Sequence, residues 1–451
     1  MAASIFVFAD ASVGVSAEHD GTVHIPYVGD DLLPLPTVNP LTAFTTTWVT
    51  ISPNETIIIP VVDDTKQYNI IWGDLTSTER VSGNASHTYA NPGTYTILIG
   101  DEFPGIKLED NVGSALRLKS IEQWGDVEWR TMDGAFYGAS NMVVNATDSP
   151  DVSRVTSMNQ AFAYARSFDA DFNSWDVSNV TSMNQTFLSA QSFNSPLDKW
   201  DVSDVTDMYG MFANAKAFNG NISDWDVSNV TDMRSMFMSA SSFNQPLDNW
   251  DVSSIPDMSN MFAGATSFNQ PLNSWDTSSV TDMSSMFAGA TSFNQPLYYW
   301  DVRNVTDMSN MFNSATSFNN HLYKTQKSGY LELSWDTQSL TNMSGMFSNA
   351  TSFNSALNYL NTSSVTDMSG MFNGATSFNK PLLYWDVRNV LDMSYMFANA
   401  SSFNYGLGDW RPNNLQNMHQ MFANASSFNT PMNFWDTGAC LLYTSPSPRD
   451  S

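Results

Sequence analysis

The sequence is poor in three kinds of feature, and each shortage excludes a class of protein. Its 451 residues include a single cysteine, Cys440, so no disulfide can form within the chain. Lysine and arginine number only 18 against 45 aspartates and glutamates, which gives a net charge of −27 at pH 7. Such a surface repels nucleic acids and anionic lipids, so neither is expected as a partner. No run approaches the roughly 18 apolar residues of a membrane-spanning helix, so no membrane insertion is expected.

Recognisable catalytic motifs are missing as well. The sequence contains no phosphate-binding P-loop, no HExxH zinc motif and no GxSxG nucleophile motif. Its histidines are scattered, at positions 19, 24, 87, 321 and 419. The chain is therefore expected not to be an enzyme. Charged residues make up only 14% of the sequence, and a polar surface that is not dense in charge suits an extracellular or cell-surface location.

What the sequence does contain is a repeat of about 25 residues, which runs from about residue 120 to 436. One column of methionines gives its register: positions 132, 158, 183, 208, 233, 258, 283, 308, 343, 368, 393 and 418. The steps are 26, six of 25, one of 35 and three of 25. A fixed period of this length is typical of stacked repeats, so about 12 coils are predicted, with an insertion at residues 321–331.

The spacing within one coil predicts its secondary structure. Counting from Trp250, apolar residues from Ile255 to Ala265 recur every three or four positions, which is typical of a short helix. Residues 266–269 are then expected to form a short strand that pairs in parallel with its equivalents in neighbouring coils. The fold predicted for these residues is an α/β, leucine-rich-repeat-like, right-handed solenoid.

Three columns of residues are interpreted as packing. The methionines, including a second column from Met211 to Met421, could form a metal-binding thioether row, but core packing is favoured. The tryptophans from Trp175 to Trp410 could offer a glycan-stacking platform, but Leu360 replaces one of them within an otherwise normal coil, which favours packing. The asparagines from Asn194 to Asn429 are interpreted as a structural amide ladder, with a binding role as the lesser alternative.

Two columns of aspartates are less settled. Like charges in adjacent coils repel each other and need donors or a cation between them. In the column after tryptophan, turn capping is favoured over a row of Ca²⁺ sites, for which the candidate ligands are Asp201, Asp226, Asp251, Asp276 and Asp301. The second column comprises Asp207, Asp232, Asp257, Asp282, Asp307, Asp367 and Asp392, and its placement at the predicted helix start explains it. Apart from a possible Ca²⁺, no cofactor is expected.

The residues before the repeats divide into two parts. Residues 1–40 are expected to be an irregular lead, with either a poor signal peptide or an incomplete start. Residues 41–110 contain short runs rich in β-branched and aromatic residues, which predict strands. This part resembles a PKD-type β-sandwich, an Ig-like all-β fold, in Ile71-Trp72-Gly73-Asp74 and in His87-Thr88-Tyr89 followed by Gly93-Thr94-Tyr95-Thr96, although the second Gly-Asp-Gly element is absent.

The repeat itself resembles the BspA-like surface-protein repeats, the former DUF285 family, in its pattern W-D-V-S-x-V-T-D-M-x-x-M-F-x-x-A-x-x-F-N-x-P-L. The resemblance implies a surface or secreted protein associated with adhesion. It supplies no catalytic residues. Residues 437–451 carry none of the repeat columns and look like translated sequencing adapter, so the natural protein is expected to continue beyond them.

These observations lead to two functional expectations. The first is a non-enzymatic surface or secreted protein that binds protein or glycan ligands through its extended repeat surface. The alternative is a Ca²⁺-dependent glycan-binding protein. The insertion is the one irregular surface in the repeats, and its candidate ligand contacts are Tyr323, Lys324, Lys327 and Tyr330.

Overall fold

The computed structural model describes residues 38–320, 322–325, 331–333, 335–432 and 435, together with two short strands near the N-terminus. The helices are a 3₁₀-helix at Leu108–Asp110 and α1 at Val112–Ala115. The strands are β1 (Ser16–Ala17), β2 (Val23–His24), β3 (Phe44–Thr50), β4 (Glu55–Ile59), β5 (Gln67–Ile71), β6 (Ser77–Ser82), β7 (Ala85–Tyr89), β8 (Gly93–Asp101), β9 (Leu118–Gln123), β10 (Val143–Val144), β11 (Tyr323–Thr325) and β12 (Leu331–Leu333). Residues 437–451 lie outside the described part.

Before the repeats, the chain folds into a β-sheet region, and the strands predicted between residues 41 and 110 are confirmed. A six-stranded sheet has the order β10-β9-β3-β8-β5-β6, and β4 pairs with β7 in a second, two-stranded sheet. β-branched and aromatic residues alternate along these strands and bury one face, as in the core residues Phe44, Trp48, Ile57, Ile70 and Ile97.

The segments that carry the PKD-like resemblance come together in this region. The His87 ring stacks on Trp72 with ring centroids 5.0 Å apart. His87 Nε2 lies 2.7 Å from a carboxylate oxygen of Asp74. The Tyr89 hydroxyl donates a hydrogen bond to the Trp72 carbonyl at 2.8 Å. Trp72 and Asp74, which follow β5, therefore contact His87 and Tyr89 of β7.

The repeats stack on each other through backbone hydrogen bonds. In the coil of Trp250, the N–H groups of Met258, Asn260 and Phe262 donate to carbonyls 24 residues later, at 2.9–3.0 Å. Isolated parallel bridges join equivalent aspartates of neighbouring coils, such as Asp257 and Asp282. The pattern continues across the insertion, where Met308 donates to the Asn342 carbonyl. Each coil thus satisfies backbone groups of its neighbour.

The predicted helix in each coil is wrong, and so is the predicted strand at residues 266–269. Met261, Ala263 and Ala265 donate to the carbonyls three residues earlier, so this segment is a succession of turns. Asn260 and Gly264 have φ values of 59° and 71°, which a right-handed helix does not allow. Successive turns repeat every three to four residues and therefore imitate helical spacing. The α/β description of the repeats is corrected accordingly: they are non-helical, and the parallel pairing lies at the Asp257 position.

One continuous hydrophobic core runs from the sheet region into the repeats. At the junction, the Trp124 ring packs edge-on against Phe136 and Trp175, with centroids 5.7 and 5.5 Å away. Strand β9 pairs with β3 on one side and in parallel with β10, within the first repeats, on the other. The sheet region therefore covers the apolar end of the repeat stack, as terminal caps do in repeat proteins.

Candidate interaction surface

The tryptophan column lies inside the stack, which confirms the packing interpretation. Trp250, Trp275 and Trp300 are buried, and each indole N–H donates to a carbonyl 28 residues earlier at 2.8–3.1 Å. Leu360 is buried at the equivalent position. The two methionine columns are buried as well, except for Met418, which is half-buried near the end of the described stack. These columns therefore offer no surface for a ligand.

The asparagine column is a ladder between coils, again as predicted. The side-chain oxygen of Asn244 accepts the backbone N–H of Asn269 at 2.9 Å, and Asn269 does the same for Asn294. The series extends without a break from Asn194 to Asn429, across the insertion. Each amide oxygen is used by the next coil, so the column is structural.

The first aspartate column caps turns. Asp201 accepts both the backbone N–H of Ser203 at 3.1 Å and its hydroxyl at 2.7 Å, and Asp226 accepts the same pair from Ser228. Asp251 and Asp276 each accept an N–H two residues later. Asp301 forms an ion pair with Arg303 at 2.9 Å. Each of the five candidate Ca²⁺ ligands is thus committed to its own turn, and among the described residues no three His, Cys, Asp or Glu side chains are arranged to hold a metal.

The second aspartate column needs a different explanation from the helix start predicted for it, because no helix follows. Its carboxylates accept the backbone N–H two residues later, as Asp257 does from Ser259 at 2.8 Å and Asp282 from Ser284 at 2.7 Å. This is the local hydrogen bond that aspartate makes in turns. The column therefore stabilises the turn at which neighbouring coils form their parallel bridges.

Turn capping predicts how the first column responds to substitution and to pH. The Ser228 hydroxyl and N–H hold the pKa of Asp226 below its usual range, so its stabilising effect is present at neutral pH and is lost as the pH falls through that lowered pKa. Asn361 makes the same two hydrogen bonds with Ser363. We expect Asp226→Asn to keep the stability at pH 7 and to soften its decline below about pH 4. Asp226→Ala should cost roughly 0.5–1 kcal/mol, measured by denaturant titration at both pH values.

The insertion forms a β-hairpin. Strand β11 pairs antiparallel with β12, with Tyr323 opposite Leu333 and Thr325 opposite Leu331. Leu322 before it and Trp335 after it are buried at the usual coil positions, so the hairpin is inserted between two positions of an otherwise regular coil. Tyr323 and Lys324, two of the predicted contacts, lie on β11. Lys327 and Tyr330 lie outside the described residues.

Exposed tyrosines flank this hairpin, and sequence reasoning missed them. Tyr299, Tyr359 and Tyr384 are 57%, 52% and 68% exposed, and Leu383 beside them is 50% exposed. Each tyrosine lies between the buried leucine and the tryptophan position of its coil, which is where the hairpin emerges in the intervening coil. In the earlier coils the same position holds polar residues: Ser174, Lys199, Asp224, Asn249 and Ser274. The change from polar residues to tyrosine at this position is the sequence signal that could have identified these residues.

Contacts between neighbouring coils position the exposed tyrosines. Tyr359 and Tyr384 lie with centroids 5.5 Å apart and planes at 29°. The backbone N–H of Tyr384 donates to the side chain of Asn358 at 3.2 Å, and that of Tyr299 to Asn273 at 3.0 Å. We call Tyr299, the β11–β12 hairpin, Tyr359, Leu383 and Tyr384 the hairpin surface. Exposed aromatic residues held on a rigid scaffold are typical of protein interaction sites.

Comparison with known proteins assigns the repeats to a family. The family described as "Mycoplasma protein of unknown function, DUF285" matches residues 130–249, 236–333 and 323–435. These overlapping matches cover more than half of the chain and begin after the N-terminal sheet region. No curated protein and no solved structure matches the chain. Within the described residues, the structure has no helix long and apolar enough to span a membrane.

Proposed function

The chain belongs to the DUF285 family, and from that premise we propose that it is a non-enzymatic, cell-surface or secreted adhesion protein. It binds protein or glycan ligands through the extended surface of a right-handed, leucine-rich-repeat-like solenoid without helices. The hairpin surface is the main contact region. The N-terminal sheet region is a PKD-like, Ig-type β-sandwich that precedes the solenoid and caps its core.

The observation that carries this proposal is where the exposed aromatic side chains lie. The side chains of the regular tryptophan, phenylalanine and methionine columns are packed in the core. Those of the asparagine and aspartate columns form hydrogen bonds within turns and between coils. Among the described residues, the three most exposed tyrosines of the repeats, Tyr299, Tyr359 and Tyr384, lie in the coil before the insertion and in the two coils after it. Tyrosine supplies a large contact area at low cost in side-chain entropy, which makes it a frequent residue of binding surfaces.

The charge of the chain supports the choice of partner. A net charge of −27 disfavours nucleic acids and anionic membranes. The basic residues of the later coils include Arg303 and Arg388, and both pair with aspartates two residues earlier, at 2.9 and 2.5 Å. A protein or a glycan that presents hydroxyls, amides and apolar groups suits this surface better than an anionic polymer does.

The alternative function is Ca²⁺-dependent glycan binding. The aspartate column after tryptophan favours it, since equivalent carboxylates recur in successive coils. Against it stand the serine and arginine partners that these carboxylates already have. Melting temperatures in Ca²⁺ and in EDTA separate the two readings: the adhesion proposal expects equal values, and a rise of several degrees in Ca²⁺ would favour the alternative.

The proposal is tested by removing the hairpin. Deleting residues 324–333 leaves Leu322 and Tyr323 followed directly by Ser334 and Trp335, which restores the 25-residue step. We expect this variant to fold normally and to lose at least tenfold in affinity for whatever the intact chain binds on arrays of extracellular-matrix proteins and glycans. Unchanged binding by the deletion variant would contradict the proposal.

A further inference from the structure

A groove lies at a different position of the coil from the hairpin surface. One position, two residues after the first methionine column, has a positive φ in every coil from Gln160 to Gln420. The residues there are Gln160, Gln185, Gly210, Ser235, Asn260, Ser285, Asn310, Gly345, Gly370, Tyr395 and Gln420. Gly345 and Gly370 are the one place in this series where two successive coils lack a side chain at this position. The result is a groove with a volume of about 370 Å³, which we call the notch.

The notch has two different ends and an open middle. At one end the Asn310 side chain lies against Gly345. A Cβ added to Gly345 would lie 2.3 Å from the side-chain oxygen of Asn310. At the other end lies Tyr395, a residue that is 39% exposed and whose ring makes an edge-on contact with the His419 ring, with centroids 5.3 Å apart. A Cβ built on Gly370 would meet nothing within 4 Å. The space above Gly370 is therefore free.

The floor of the notch holds a polar group without a partner. Ser394 lines the notch and is only 9% exposed. Its backbone groups are bonded, to Asp392 and Gly370, but its hydroxyl makes no hydrogen bond with any residue that the structure describes. Ser348 is 8% exposed, and its hydroxyl accepts one long hydrogen bond, of 3.4 Å, from the side-chain amide of Asn349. Both hydroxyls therefore keep bonding capacity at the surface of the notch, where a polar ligand can use it.

The lining determines the chemistry of that ligand. The residues that line the notch are serines, glycines, asparagines and one tyrosine, with no charged side chain among them. Hydroxyls and amides both donate and accept hydrogen bonds, and an exposed ring face attracts the C–H groups of a sugar ring through its negative quadrupole. We propose that the notch binds one neutral sugar residue of a glycan, with Tyr395 stacking on its apolar face and Ser394 bonding to a hydroxyl.

This inference rests on the proposed function, because it assigns a place for the glycan among its ligand classes. The repeat itself supplies a conservative test variant. Glutamine occupies the equivalent position at 160, 185 and 420 with φ between 50° and 56°, so Gly370→Gln fits the backbone and fills the notch. Ser285→Gln makes the same kind of change in the same column of a regular coil and is the matched control.

The experiment uses the full chain and saturation-transfer NMR with methyl glycosides of glucose, galactose, mannose, N-acetylglucosamine and N-acetylgalactosamine. At least one glycoside should bind. Its affinity should fall at least tenfold in Gly370→Gln and in Tyr395→Ser, a residue type that the column also accepts at 235 and 285. Tyr395→Phe and Ser285→Gln should bind normally. Equal melting temperatures establish folding.

Two results would overturn the notch as a sugar site: no glycoside binds the intact chain, or Gly370→Gln binds a glycoside as tightly as the intact chain does. Neither of these touches the hairpin surface, which the deletion of residues 324–333 tests on its own. Loss of array binding in that deletion, with sugar binding retained, would support both sites independently.

Discussion

Replacing Phe262 with alanine should lower the free energy of unfolding by about 3–5 kcal/mol. Phe262 is fully buried in the middle of the stack. Its ring stacks on Phe268 of its own coil at 4.1 Å and on Phe237 and Phe287 of the neighbouring coils at 5.5 and 5.6 Å. Truncation leaves a cavity that these rings cannot fill, because the backbone hydrogen bonds between coils fix their spacing.

The loss should spread to both neighbouring coils, since each repeat depends on its neighbours for burial. Guanidinium denaturation followed by tryptophan fluorescence measures the stability, and hydrogen exchange of residues 237–287 shows where it is lost. Tyr384→Ala is the control, because that exposed ring should contribute within about 0.5 kcal/mol. A cost below 1 kcal/mol for Phe262→Ala would contradict the stacked core.

Much of the fold followed from the sequence because a repeat period identifies equivalent residues without any secondary-structure assumption. The burial of Met258, Trp250 and their equivalents follows from the period alone. The strands β3, β4, β5 and β8 were visible as β-branched runs. The prediction of a helix was wrong for a physical reason. Turns closed by hydrogen bonds between residues i and i+3 place apolar residues at helical spacing. Only residues with a left-handed backbone, such as Asn260, distinguish such turns from a helix.

The candidate sites were harder to predict, since they depend on which side of a coil a residue faces. The insertion is visible in the sequence as a break in the period, whereas the exposure of Tyr359 and Tyr384 is visible only in the structure. In the sequence alone, nothing distinguishes Gly345 and Gly370 from the other glycines of the repeats. Their consequence, an opening two coils wide, follows only once their column is known to face outward with side chains in most other coils.

Replacing Tyr299, Tyr359 and Tyr384 together with serine should abolish most ligand binding while leaving the fold intact. Aromatic anchors at the centre of an interface commonly contribute 2 kcal/mol or more each, and 1.4 kcal/mol corresponds to tenfold in affinity. Loss of three anchors should therefore weaken binding by at least a hundredfold if all three are contacted. Serine occurs at this position in other coils, at Ser174 and Ser274, so the scaffold accepts it.

The matched control changes the same column in the regular coils, with serine at Lys199, Asp224 and Asn249. Both triple variants alter one exposed position of three coils and keep every buried column.

We propose that the array-identified ligand is held mainly at the hairpin surface, and that the regular coils before the insertion serve as scaffold for that contact. The most direct measurement is the affinity of the intact chain and the two triple variants for the same array-identified ligand, by surface plasmon resonance, with melting temperatures recorded for each. We expect normal binding by the control and a loss of at least a hundredfold by the tyrosine variant, with all three proteins melting at the same temperature. Equal loss in both variants, or none in the tyrosine variant, would contradict it.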